Sequence, residues 1–262
     1  MSDELIICDV AEQIAVITLN RPRALNALSD DLLAALAGTL DRVAADDGVK
    51  AVILRGSGKA FCAGHDLREM QAGRAAEDGG AAYFADLFAR CGALMQRIPR
   101  MPQPVIAQVH GIATAAGCQL VATCDMAVAA QDARFGVNGV NIGLFCSTPM
   151  VALTRVMPRK QAFEMLTTGA FIDADRARAL GLVNRVAAPA DLDAAAMDLA
   201  RSVAAKLGAA VRIGKRAFYE QMDLPLDQAY AFTGDVMARN MMLRDTDEGI
   251  TAFLQKRKPD WA

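Results

Sequence analysis

Hydrophobic positions fall first into short runs and later into long helical stripes. Leu5 to Val10 and Ile14 to Leu19 are β-rich runs on either side of the polar Ala11-Glu12-Gln13, a pattern that predicts a hairpin. Asn20-Arg21-Pro22 breaks the second strand. Ser29 stands where a helix cap is needed, and Leu32, Leu33, Leu36 and Leu40 recur at the spacing of one helical face. Ala51 to Leu54 predicts a short buried strand that runs into the turn Gly56-Ser57-Gly58. Residues 71 to 82 are Gly, Ala and charge, the texture of a mobile loop or a frayed helix start. Pro104 to Val109 predicts a further buried strand ended by Gly111, a helix follows from near Ala115 towards Cys124, and Met126 to Ala130 returns to strand. Strands alternating with helices imply an α/β layout with crossover connections. From about Asp191 four amphipathic stretches follow: Leu192 to Leu207, Ala210 to Gln221, Leu226 to Leu243 and Thr246 to Lys258. The expected organisation is an α/β body over residues 1–190 and a helical region over 191–262.

Composition narrows the function classes. The chain has 262 residues, 53% of them hydrophobic, enough for one large core. A formal charge of -2 points away from a nucleic-acid or membrane-surface partner. No apolar run approaches the roughly 20 residues that span a bilayer. The start, MSDELIICDV, carries acids and no basic stretch, so no secretory signal is expected. The six cysteines, Cys8, Cys62, Cys91, Cys118, Cys124 and Cys146, show no CxxC pair. They read as buried thiols in a reducing cytoplasmic setting rather than disulfides or a zinc site. His65 and His110 are the only histidines, so no metal site is expected.

Candidate chemistry centres on GIATAAGCQL, Gly111 to Leu120. A strand, a small-residue turn and a helix start leave backbone N–H groups unpaired, and small side chains let a ligand reach them. The spacing matches neither phosphate-binding glycine pattern. A developing oxyanion is a second possible ligand, but it needs two donors. Phe61-Cys62-Ala63-Gly64-His65-Asp66 is another small-residue turn after a strand. Close packing of helix on sheet is the alternative use of both turns. His110, Asp66 and Asp125 read as structural groups, and Arg68 and Glu69 as surface groups of a following helix.

These segments resemble a known family. FCAGHDLREM (61 to 70), GIATAAGCQLVATCD (111 to 125), RPRALNAL (21 to 28), TGAFIDADRARALGLVNRV (168 to 186) and EGITAFLQKRKP (248 to 259) are similar, in order, to blocks of the enoyl-CoA hydratase/isomerase (crotonase) superfamily. The resemblance implies a crotonase-type spiral of ββα units with a C-terminal helical trimerisation region, hence a homotrimer or dimer of trimers. It implies a lyase of fatty acid metabolism acting on an acyl-CoA thioester, with coenzyme A part of the substrate and no separate cofactor. The family's oxyanion donors fall on the backbone N–H groups of His65 and Ala116, with Gly117 adjacent. Arg23, Ala24 and Leu25 fall on positions that line the CoA. Ala63, Gly64, Asp66, Leu67, Asn141 and Cys146 are carried over as substrate contacts. Phe253 and Lys256 fall where the family reaches the adenine end from a neighbouring subunit.

The chain departs from the family at its two acids. The hydratases carry a glutamate where Gln119 stands and another where Gly139 stands, in Phe135-Gly136-Val137-Asn138-Gly139. Gln119 cannot carry a proton near pH 7, and Gly139 has no side chain. The expectation is therefore thioester activation without efficient hydration. Two alternatives stay open: decarboxylation of a malonyl-type CoA ester, and acyl-CoA binding without turnover. AGHDL and Asn141-Ile142-Gly143 resemble the decarboxylases of the superfamily, while Cys146 replaces their tyrosine. As a nucleophile Cys146 would need a nearby base, and pocket lining is the simpler role.

Overall fold

The computed structural model describes residues 4–261; Met1 to Asp3, within the acidic start considered above, and Ala262 lie outside them. Strands β1 (Ile6–Ala11) and β2 (Ile14–Leu19) form the expected antiparallel hairpin. Its two-residue loop, Glu12 and Gln13, has φ of 51° and 62°, the left-handed pair that suits the twist of a tight hairpin. Helix α1 (Asp30–Ala44) is capped by the Ser29 hydroxyl, which accepts the Leu32 N–H at 3.2 Å, and it buries Leu32, Leu33, Leu36 and Leu40. The chain continues through β3 (Ala51–Gly56), α2 (Leu67–Gly73), α3 (Ala81–Arg100), β4 (Val105–Val109), β5 (Ile112–Thr114), α4 (Ala116–Thr123), β6 (Met126–Ala130) and β7 (Arg134–Gly136). It then forms α5 (Ser147–Val156), α6 (Arg159–Thr168), β8 (Ile172–Asp173), α7 (Ala174–Ala179), β9 (Arg185–Ala187), α8 (Leu192–Ala204), α9 (Gly208–Gln221), α10 (Leu226–Met241) and α11 (Arg244–Leu254).

Two strand layers position the site. The larger sheet has the order β1-β2-β3-β4-β6-β9, parallel from β2 onwards. The smaller has the order β5-β7-β8 and is extended by single-residue parallel bridges from Ala113 to Cys62 and from His65 to Leu28. Each unit thus runs from a strand of the large sheet, through a turn, to a short extended piece beside its predecessor, and into a helix. This repeats as β3, 62–65 and α2; as β4, β5 and α4; and as β6, β7 and α5. It is the expected spiral of ββα units. The inner strands are almost wholly apolar and buried, as a parallel sheet covered on both faces requires.

Two local expectations change. Residues 71–73 complete α2, and the turn after them is anchored: the Asp78 carboxylate accepts the N–H groups of Gly80 at 2.9 Å and Ala82 at 2.8 Å, and Arg74 stacks over Phe84. Gly111, at φ 57°, does not pass straight to a helix, because the short strand β5 intervenes.

The boundary expected at residue 190 precedes α8, which packs on β2, β3, β4, β6 and β9 and so covers the large sheet. Helix α9 is fastened to the body by a buried polar cluster. The Lys215 ammonium donates to Ile98 O and Gln103 O, both at 2.8 Å, and to Asp125 Oδ2 at 2.7 Å. The Tyr219 hydroxyl donates to Asp125 Oδ1 at 2.8 Å, and the Val105 N–H to Oδ2 at 2.6 Å. Burial pushes the Lys215 ammonium below its ordinary pKa, against the pull of Asp125. Asp125→Asn keeps the shape and leaves the lysine charge uncompensated. It is expected to cost about 3–5 kcal/mol in urea unfolding, the usual penalty for halving a buried pair. An unchanged urea midpoint would refute the anchor.

Candidate active site

Three segments meet around the expected donors. The 21–28 turn is stitched to the 63–66 turn by backbone bonds: Ala63 N–H to Leu25 O at 3.0 Å, Leu28 N–H to Gly64 O at 2.7 Å and Asp66 N–H to Leu28 O at 3.2 Å. Side chains reinforce the seam. Arg21 donates to Asp66 Oδ2 at 3.0 Å and to Ala27 O at 2.6 Å. Partial burial works against a charged Asp66, but hydrogen bonds from Arg21 and from the N–H groups of Arg68 and Glu69 outweigh it and hold its pKa below the ordinary range. Asn26, fully buried at φ 53°, uses its whole carboxamide: Oδ1 accepts the Arg21 N–H at 2.9 Å, and Nδ2 donates to Ser57 O and Ala60 O at 2.8 Å each.

The third segment is the turn into α4. Thr114 N–H donates to Cys62 O at 3.0 Å, and Ala115 N–H to Gly136 O at 2.9 Å. The small residues are required by close approach. A Cβ on Gly117 would strike the Cys62 carbonyl, and one on Gly64, at φ 91°, would come within 3.0 Å of Ala115 Cβ and 3.5 Å of Ala116 N. Ala115 itself holds φ 49° and ψ -119°, a strained conformation for a residue with a side chain, immediately before the first helical N–H. Among the described residues neither the His65 N–H nor the Ala116 N–H has a hydrogen-bond acceptor. Two free backbone donors therefore lie on two segments in direct contact.

Around them the side chains sort clearly. Gln119 is buried on α4, and its Oε1 has no partner. The His65 ring sits edge-on to Phe88 at 5.8 Å, with neither ring nitrogen in a close hydrogen bond and the Leu28 backbone as its polar neighbour. Burial lowers its pKa from the ordinary 6.5, so the imidazole is neutral at neutral pH. Gly139 is buried in the 3-10 turn Asn138–Ile142. A Cβ there would strike the Leu144 carbonyl and lie 2.9 Å from Cys146 Sγ. Burial pushes the Cys146 thiol up, against a hydrogen bond from the Gly139 backbone, which disfavours the thiolate that a nucleophile needs. The other thiols are uncombined, and burial pushes Cys62 and Cys118 to about 12.

Arg23, Leu25 and Leu67 are exposed beside this seam, and Ala24 and Ala63 are half-buried within it. The Asn141 carboxamide lies over Gly169 at the end of α6. Phe253 and Lys256 stand exposed at the end of α11, whose main packing partner is α10. There Lys256 takes the left-handed position, φ 58°, of a helix-ending turn closed by Arg257 N–H to Ala252 O at 3.0 Å. His110 is structural, with Nε2 3.0 Å from Gly58 O. Glu69 does more than expected, because its carboxylate accepts the Asp30 N–H at 2.8 Å and caps α1. Asn26, Arg21 and Lys215 were not foreseen. A cleft of about 570 Å³ between α5 and α6 and one of about 400 Å³ among α9, α10 and α11 have linings that include none of His65, Ala116 and Gln119.

A crotonase-type spiral with paired small-residue turns defines a class of acyl-CoA proteins, and the comparisons agree. The family model described as Enoyl-CoA hydratase/isomerase matches residues 9–262, and the chain belongs to that family. It is similar to human enoyl-CoA hydratase domain-containing protein 3, mitochondrial, at 46% identity over 94% of this chain and 80% of the relative. It is 37% identical to crotonyl-CoA hydratase of Syntrophomonas wolfei, over 100% of this chain and 99% of the relative. Among solved structures, an enoyl-CoA hydratase of Mycobacterium smegmatis superposes with TM-score 0.94 at 54% identity, covering 98% of each chain. The structure of the human domain-containing protein 3 gives TM-score 0.94 at 44% identity, covering 98% of this chain and 100% of that one.

Two outcomes follow from this geometry. Gly139→Ala must push back the Leu144 carbonyl and is expected to cost about 1–3 kcal/mol by urea unfolding, the overpacking range; wild-type stability would show that the loop yields freely. For His65, the unfolded imidazole titrates near 6.5 and the folded one lower. Below that value the unfolded chain binds more protons, so stability falls as pH drops through 6.5 and is flat above it. Urea midpoints measured from pH 8 to pH 5 should lose part of this slope in His65→Gln, and identical slopes would contradict the buried neutral imidazole.

Proposed function

We propose that the protein binds a CoA thioester with its carbonyl oxygen between the N–H groups of His65 and Ala116, polarising the carbonyl without efficient hydration of the acyl chain. The supporting observation is the pair of unpaired donors on segments that touch. A donor of this kind is worth roughly 2.7–4 kcal/mol when charge develops on the oxygen. The 21–28 turn is hydrogen-bonded to the same seam, which puts Arg23, Ala24 and Leu25 beside it for the CoA body. Phe253 and Lys256 serve the adenine end of a neighbouring subunit's ligand. Exposed Phe218 on α9, Leu226, Tyr230 and Met237 on α10 and Met242 at its C-terminal end support a homotrimer or dimer of trimers. Coenzyme A arrives with the substrate, and the buried thiols suit a reducing cytoplasm.

Hydration requires one group to deprotonate water and another to protonate carbon, help worth about 10²–10⁴-fold per group. Gln119 is neutral, and Gly139 has no room for a side chain. Gln119→Glu alone returns one acid, and Gly139→Glu cannot return the second without displacing Leu144. Decarboxylation of a malonyl-type ester is the weaker reading. In that reading loss of CO2 itself forms the enolate, and the same two N–H groups would hold its oxygen without prior proton abstraction.

Calorimetry with acetyl-CoA should show binding that weakens when the 3′-phosphate is removed, and no binding at millimolar ligand would sink the reading. Hydration of crotonyl-CoA is expected at least about 10²-fold below that of a family member with both glutamates. Rapid hydration by the unmodified protein would show that another group moves the proton. Light scattering should give a trimer or larger, not the 27.8 kDa monomer.

A further inference from the structure

The last residues of the chain are tied back onto α11 by four contacts. The Arg257 guanidinium donates from Nη1 to Glu248 Oε1 at 2.6 Å and from Nη2 to Glu248 Oε2 at 2.8 Å, a two-pronged pair. The Asp260 N–H donates to the same Oε1 at 2.8 Å. One residue further on in each segment, the Trp261 ring lies against Gly249, where a Cβ would come within 2.8 Å of it. Arg257 and the Asp260 N–H hold the Glu248 carboxyl at about 2, so it stays charged. Residues 257–261 are thus laid back over the helix that precedes them.

The turn closed by these ties is unfavourable by itself. Lys256 holds φ 58°, a left-handed backbone where glycine is the usual residue. Its N–H donates to Phe253 O at 3.1 Å, and the Arg257 N–H to Ala252 O at 3.0 Å. A residue with a side chain persists in such a conformation when its surroundings over-determine it. The two neighbouring cations have opposite fates. Arg257 spends its guanidinium inside the tail, adding a bond from Nε to Gln255 Oε1 at 2.7 Å. Lys256 is exposed, and among the described residues its ammonium has no hydrogen bond or ion pair. Phe253, whose carbonyl closes the turn, is 82% exposed. An exposed ring and a free ammonium therefore flank one fixed turn.

We propose that Glu248, Arg257 and Trp261 are positioning residues, which fix the turn from which Lys256 meets the 3′-phosphate of the CoA ligand. The inference rests on the reading of Phe253 and Lys256 given above and deepens it. Lysine is a point charge on a flexible stem. A loose tail would spread that charge over many positions, whereas a phosphate monoester is met at one. A backbone fixed beforehand loses less freedom on binding, which raises affinity without a new contact.

Calorimetry on the full chain tests this by comparing acetyl-CoA with its 3′-dephospho form. The wild type is expected to favour acetyl-CoA by roughly 10-fold or more, as for a hydrogen bond to a charged group, and Lys256→Met should bring the ratio near one. Glu248→Gln keeps Lys256 but offers one carboxamide oxygen where the carboxylate met three donors. Its ratio should fall at least about threefold, with affinity for the dephospho form within about twofold of wild type. Gly249→Ala displaces the Trp261 ring without touching a charge, and it carries the same readout if the glutamine variant does not fold. Trp261 is the only tryptophan of the chain, so its emission reports the tail and should move to longer wavelength in both variants. Emission identical to wild type in both would contradict the clasp. A ratio unchanged in Glu248→Gln, or a loss shared equally by the two ligands, overturns the inference and leaves the Lys256 contact standing if Lys256→Met abolishes the preference. No preference in the wild type takes down the contact and the inference together.

Discussion

Two backbone N–H groups, on His65 and Ala116, are left without acceptors on two turns in direct contact, and much of the surrounding sequence serves that arrangement. Glycine at 64 and 117 lets the two turns approach until a methyl group on either would collide. Ala115 accepts a strained backbone so that α4 starts with its first donor facing the neighbouring turn. Asn26 ties the 21–28 turn to residues 57–60, and the Arg21–Asp66 pair with three backbone bonds ties it to the 63–66 turn that carries His65. Fixed donors cost no reorganisation at the moment charge develops, which is what makes such a pair effective.

The fold repeats one device. Each strand of the large sheet turns into a short extended piece and then a helix, so successive turns stack along one seam. The C-terminal helices attach to this body through the Lys215–Asp125 contact, which joins α9 to the end of α3 and the start of β4. Asp125 follows directly on α4, so the contact ties α9 to the end of that helix and to the base of the strand that leads into β5. The exposed apolar residues of α9–α11 then lie on a scaffold tied to the site-bearing strands.

Much of this was legible in the sequence. The hairpin, Ser29 cap, inner strands and four final helices follow from apolar spacing, because those elements bury one side against a core. The two turns were legible as small-residue stretches after strands. Three things were not. β5 and β7 are three residues each, too short for an alternating pattern, and arise from pairing with segments far along the chain. Asn26 looks like an ordinary turn residue, and its role appears only when residues 57–60 fold over it. The blocked space at Gly139 comes from the Leu144 carbonyl, a backbone atom that residue types do not reveal.

The proposed function depends on polarisation of a thioester carbonyl by the two backbone donors. The most direct measurement is the vibrational frequency of the carbonyl in butyryl-CoA labelled with carbon-13 at that position, free and bound to the protein. Two hydrogen bonds to the oxygen predict a clear shift to lower frequency and a single narrow band, as for one fixed geometry. A bound ligand whose carbonyl frequency equals that in water, or spreads over several environments, would contradict the claim.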